Sequence, residues 1–199
     1  MARLLHGRKL WSAIQRLARQ SQKVMAAVGF IGEGVDQLLH WRRGCVLIAD
    51  LTRERVQEGV SSARGALRLL EKGVAVYSLK DLHAKVLLFD RHAVVGSMNL
   101  SQVSHSRLRE AGVLLDGDQV KAVWKYLRSL QREAQALSAG QLRELTKLEP
   151  LRSGHSETAG PRAPQRASSP APRRRRENAH DGLDSASTTK AFLFTWNPV

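Results

Sequence analysis

Six short apolar runs constrain this chain more than any other feature. They occupy residues 23–31, 45–51, 74–79, 82–89, 92–98 and 111–115, and stretches with helical periodicity lie between several of them. Runs of five to nine residues rich in Val, Ile, Leu and Ala suit buried strands and are too short to span a bilayer. The first three alternate with helical segments at 35–41 and 53–71, the latter broken near Gly59 and Gly65. Strand, helix, strand, helix, strand implies crossovers and an α/β fold: a mixed, largely parallel sheet flanked by helices. Gly32 and Gly34 read as turn glycines, because no G-x-x-x-x-G-K-[ST] follows them.

Residues 4–20 carry Leu4, Leu5, Leu10, Trp11, Ile14 and Leu17 with Arg and Gln between them. This spacing predicts an N-terminal basic amphipathic helix within residues 1–22 that packs by its apolar face. The main domain is expected over 23–140, closed by a helix at 118–137 whose apolar side carries Val120, Val123, Trp124, Leu127 and Leu130. Beyond it the composition changes. Pro161, Pro164, Pro170, Pro172 and the run Arg173–Arg176 cannot support a core, so 141–190 read as a disordered basic linker. Residues 191–199 are apolar again and read as the start of a second, truncated module.

The formal net charge is +14, and residues 151–199 hold only 8 of the 32 Lys and Arg against 4 of the 18 Asp and Glu. Ten of the fourteen surplus charges therefore sit on residues 1–150, a surface suited to polyanions, nucleic acid above all. Cys45 is the single cysteine. It excludes an internal disulfide or a Cys-based metal site and points, with the charged N-terminus, to a cytoplasmic protein.

The chemistry is concentrated at 83–110. His83 and Lys85 are two residues apart in a strand-like run, and Ser97 and Asn99 repeat that spacing in the next one. Each pair should leave one face of its strand, so pairing of the runs as a hairpin around Asp90-Arg91 would gather imidazole, ammonium, hydroxyl and amide on one patch. A nucleophile, a cation and neutral donors are what a tetrahedral phosphate needs. Gly96 would let a substrate or a facing strand come close.

The skeleton His83-x-Lys85-x4-Asp90-x5-Gly96-Ser97-x-Asn99 resembles the HKD motif of the phospholipase D superfamily. Its Asp90-to-Gly96 spacing is one residue shorter than the usual form, as a tighter hairpin would require. The resemblance implies a phospholipase D/nuclease-like fold and a phosphodiesterase that needs no metal or other cofactor. His83 would attack phosphorus to give a phosphohistidine, while Lys85 and Asn99 would hold the non-bridging oxygens. Ser97 would assist, Asp90 would be a structural partner within the motif, and Glu110 would orient the imidazole. Two imidazoles are needed and one H-x-K is present, so a homodimer with a shared site is expected. The single motif and the basic domain favour a nuclease, on DNA ahead of RNA. A phospholipase D-type lipid phosphodiesterase and a non-catalytic DNA-binding member of a restriction or repair assembly are the alternatives.

Overall fold

A computed structural model of the chain describes residues 2–150. The linker expected beyond 150 and the module at 191–199 lie outside the described residues. The apolar runs form β2 (Met25–Val28), β3 (Val46–Ala49), β4 (Ala75–Ser78), β5 (Lys85–Leu88), β6 (Ala93–Gly96) and β7 (Ala111–Leu115), preceded by β1 (Ala2–His6) and followed by β8 (Gln135–Ala136). Helices α1 (Gly7–Gln20), α2 (Val35–Leu38), α3 (Arg53–Gln57), α4 (Ala63–Glu71), α5 (Gln102–Ser106), α6 (Asp118–Glu133) and α7 (Ala139–Thr146) join them. The eight strands make one sheet in the order β1-β7-β6-β5-β2-β3-β4-β8.

The sheet is mixed and flanked by helices, as expected, but less of it is parallel. Only β2 with β3 and β3 with β4 run parallel; the other five neighbouring pairs are antiparallel. For one pair the connection explains this: the β5–β6 link is a four-residue turn, too short for a crossover back to a parallel neighbour.

Alternation along each strand sends side chains to two cores. On one side Leu47, Ala49, Leu87 and Val94 meet α1 (Leu10, Trp11, Ile14), α2, α4 and α7 (Leu142). On the other, Ala27, Ile48, Val86 and Leu88 meet α6 through Val123, Leu127 and Leu130. Gly65 lies inside α4 rather than at a break. A Cβ there would come within 2.7 Å of the Gly32 carbonyl oxygen, so the glycine lets α4 press against the loop after β2.

Two boundaries and one facing are corrected. The N-terminal helix begins at Gly7, and residues 2–6 are an edge strand paired with β7 in the register Ala2↔Leu115 to His6↔Ala111. Leu4 and Leu5 fit either period, but Leu5 is buried and Leu4 is 68% exposed, which is strand alternation. The linker does not start at 141. Ser138 and Gln141 form a capping box for α7, Leu142 is buried, and Glu149 accepts from the Arg64 backbone at 3.0 Å and pairs with its guanidinium at 2.8 Å. Trp124 belongs to the outward side of α6, 52% exposed.

Candidate active site

The site lies at one end of the sheet, where β2 finishes, β5 begins and β6 finishes. Lys85 opens β5 opposite Val28, the last residue of β2. His83 precedes the strand by two residues and faces the residue after Gly29. Its ring meets Phe30 edge-on, with centroids 6.3 Å apart. Ser97 and Asn99 follow β6 directly. The chain from Asn99 is stitched to the end of β2: the Phe30 N–H donates to Asn99 Oδ1 at 3.2 Å and the Gly32 N–H to the Leu100 carbonyl at 2.8 Å. A Cβ on Gly29 would sit 3.6 Å from both Lys85 Nζ and Asn99 Oδ1, so those two groups converge over a residue that offers no side chain.

His83 and Lys85 are brought together as the spacing implies, although His83 is held by a loop rather than by β5. Lys85 Nζ donates to the His83 carbonyl at 2.9 Å. That loop is fixed from below by Asp50. Its buried carboxylate accepts from the Asp81 N–H at 3.0 Å and from the Thr52 N–H and hydroxyl at 3.2 and 2.7 Å. Asp81 has φ 60°, a left-handed turn that aims the chain back toward β5.

Glu110 is buried beneath Ser97 and Asn99. One oxygen accepts from the Ser97 hydroxyl and the other from the Ser104 hydroxyl at 2.6 Å. Ser104 in turn accepts the Asn99 N–H at 3.1 Å, and Ser101 caps α5 by accepting the Ser104 N–H at 3.1 Å. The Trp11 indole N–H closes the network on the Ser104 carbonyl at 3.2 Å. Burial pushes the Lys85 ammonium below its ordinary range, and the Glu110 charge pulls it partly back. The patch therefore combines an exposed imidazole, a half-buried cation, an amide and a hydroxyl over one buried carboxylate, a set able to receive a phosphodiester.

Asp90 is not in the site. It sits in the turn at the far end of β5 and accepts the Gln22 and Lys23 N–H groups at 2.8 and 3.2 Å, which fastens the hairpin to the start of β2. The shortened spacing is absorbed there: Leu88 pairs with Ala93, and Asp90-Arg91 form the turn between the Phe89 N–H and the His92 carbonyl, 2.8 Å apart. At Gly96 the neighbour that comes close is β7, since a Cβ would lie 2.8 Å from Gly112 Cα. Reading the sequence for polar motif residues overlooked Ser104, Phe30 and Asp50. Only the Ser101-x-x-Ser104 cap carried a local signal. Among the described residues no group of three or more His, Cys, Asp or Glu side chains is placed to hold a metal ion.

A family model described as cardiolipin synthase, PLD-like domain matches residues 37–132, which contain the whole motif. A phospholipase D family member, Nuc from Salmonella typhimurium, is similar in fold with a TM-score of 0.54 at 11% identity, covering 69% of this chain and 99% of that one. NucT from Helicobacter pylori is similar at a TM-score of 0.52 and 13% identity, covering 69% and 99%. Residues 37–132, just under half of the chain, are thus similar to the phospholipase D superfamily. A phosphatidylserine synthase from Haemophilus influenzae is similar in fold with a TM-score of 0.53 at 14% identity, over 72% of this chain and 41% of that one. No curated protein matches the chain in sequence. Among the described residues no helix is long and apolar enough to cross a membrane.

Proposed function

We propose that the protein is a metal-independent phosphodiesterase acting on nucleic acid, DNA ahead of RNA, through a phosphohistidine. What supports this reading is that Lys85, Ser97 and Asn99 lie at one end of the sheet above buried Glu110, with the His83 ring against Phe30 beside them. The His83 imidazole nitrogen attacks phosphorus and the bond to the leaving oxygen breaks. Lys85 and Asn99 hold the charge that builds on the non-bridging oxygens. The leaving oxygen takes its proton from His83 of the partner subunit, which then removes a proton from the water that hydrolyses the phosphohistidine. Glu110 acts through Ser97, the group it is bonded to. The basic surplus on residues 1–150 supports a polyanionic substrate, and the single buried Cys45 supports a cytoplasmic setting.

An exposed apolar row supports the expectation of a second copy. Leu4, Val113 and Val95 are direct cross-strand neighbours on the sheet face that α6 leaves bare; Leu4 and Val95 are exposed, Val95 two residues from Ser97. An apolar row beside the site suits a homodimer that shares it.

The test is plasmid cleavage in EDTA by the native chain and His83→Ala, with gel filtration of both. Activity that survives chelation, is lost in the variant and comes from a dimer supports the reading; equal cutting by the variant refutes it. The family description and the phosphatidylserine synthase likeness favour a second reading, a lipid phosphodiesterase. Headgroup release from phospholipid vesicles without DNA cleavage would select it.

A further inference from the structure

The end of the sheet opposite His83 carries a second feature. There the strands and α6 diverge around a cavity of about 700 Å³. Its floor is the strand ends Met25, Val46 and Leu88, its wall is the Trp124 indole, and Gln131 lies at its edge. Met25 pairs with Leu88 at this end, whereas Val28 pairs with Lys85 at the other, so the length of the sheet separates the cavity from the candidate catalytic groups.

Four cations rim it: Lys23 before β2, and Lys121, Lys125 and Arg128 from α6. On α6 these three alternate with Trp124 at 121, 124, 125 and 128, a spacing that puts all four side chains on one helical face. Lys121 pairs with Asp118, both fully out in solvent, where such a pair is weak. The lining carboxylate, Asp90, is engaged by backbone N–H groups. An apolar slot under a row of cations selects a ligand with a flat apolar body and repeated negative charge.

We infer that this cavity binds an unpaired base of single-stranded nucleic acid, stacked on Trp124, with the flanking phosphates held by Lys23, Lys125 and Arg128. Stacking on an exposed indole with cations alongside is how strands are held without sequence preference. An acyl anchor fits less well. The aliphatic side chains of α6 are turned to the sheet (Val123, Leu127, Leu130), leaving the separate rings of Trp124 and Tyr126 rather than an apolar face for a bilayer. The inference rests on the nucleic-acid reading of the protein and adds to it a strand-binding site remote from the chemistry.

The experiment measures binding of a fluorescein-labelled oligothymidylate by anisotropy, alongside hydrolysis of a small chromogenic phosphodiester. The proteins are native, Trp124→Ala, a Lys125→Gln/Arg128→Gln pair, Tyr126→Ala as an exposed aromatic control, and His83→Ala. Trp124→Ala is expected to weaken strand binding about tenfold or more. The Lys125→Gln/Arg128→Gln pair should lower the slope of log affinity against log salt by about 1.4, roughly 0.7 per lost phosphate contact. Small-diester hydrolysis should be unchanged in both, and Tyr126→Ala should bind normally. Unchanged strand affinity in Trp124→Ala overturns the assignment, as does absence of strand binding by the native chain. A Trp124-dependent affinity for anionic vesicles in place of oligonucleotide also overturns it. Should His83→Ala cut as well as the native chain, the catalytic reading falls, and loss of binding in Trp124→Ala would still establish this site.

Discussion

Replacing Ser104 by alanine tests the site's architecture without touching a group that meets substrate. Ser104 is 1% exposed, and its hydroxyl has two partners: it donates to Glu110 at 2.6 Å and accepts the Asn99 N–H at 3.1 Å. Loss of a bond to a buried carboxylate costs about 1.5–3 kcal/mol, and a buried N–H left without an acceptor about 1–3 kcal/mol. Because Glu110 keeps Ser97, the lower half of each range applies, and the sum is about 3 kcal/mol. For a domain of this size that corresponds to a fall in Tm of about 6–12 °C. Thermal and urea unfolding of Ser104→Ala measure it, with Ser106→Ala as control. That exposed hydroxyl reaches only the Gln102 carbonyl, so its loss should cost under about 0.5 kcal/mol. Once Glu110→Gln has removed the charged acceptor, Ser104→Ala should cost less, giving a coupling of about 0.5–3 kcal/mol in the double-mutant cycle. In the phosphodiesterase assay the folded variant should lose kcat more than KM, since Asn99 is released. Strict additivity, or a Tm equal to that of the native protein, would refute the network.

Four further outcomes follow from the same geometry. The Lys85 pKa is lowered by burial and supported by Glu110, so activity that needs the cation should fall on the alkaline side before 10.5, and Glu110→Gln should move that limb to lower pH in a kcat/KM profile. The same group penalises folding at neutral pH and ceases to do so as pH rises through its folded value toward 10.5, so its contribution to stability should improve across that window in pH-dependent unfolding. Gly96→Ala should destabilise by about 1–3 kcal/mol in urea, because the new methyl group meets Gly112 Cα at 2.8 Å and Met98 Sδ at 3.0 Å. Asp90→Ala should cost about 1 kcal/mol by freeing two partly solvated N–H groups, while the folded fraction cleaves at the native rate.

The local pattern of the sequence carried the strands β2 to β7, the helix α6 and the polar motif, because period and composition are properties of neighbouring residues. Sheet direction was less legible, since it depends on which strand lies beside which. The pairing of β1 with β7 joins residues far apart in the chain, and nothing in Leu4-Leu5 distinguishes a helical pair from an alternating one. At the site, His83 and Lys85 could be read because they are two apart. Ser104, Phe30 and Asp50 could not, since each acts across a gap that only the fold closes. Trp124 was assigned to the core on its apolar character, yet α6 already fills the sheet face with Val123, Leu127 and Leu130.

The pairing of Ala2 with Leu115 also bears on how this domain is made. At a ribosomal pace of roughly 5–20 residues per second, β1 waits on the order of 5–20 s for β7, its neighbour among the described residues, to be synthesised. During that interval Leu4 and Leu5 have no partner strand. β1 can thus dock only once β7 is made, ahead of β8 and α7, and a synonymous change that slows elongation before residue 115 would lengthen the wait of Leu4 and Leu5 for a partner.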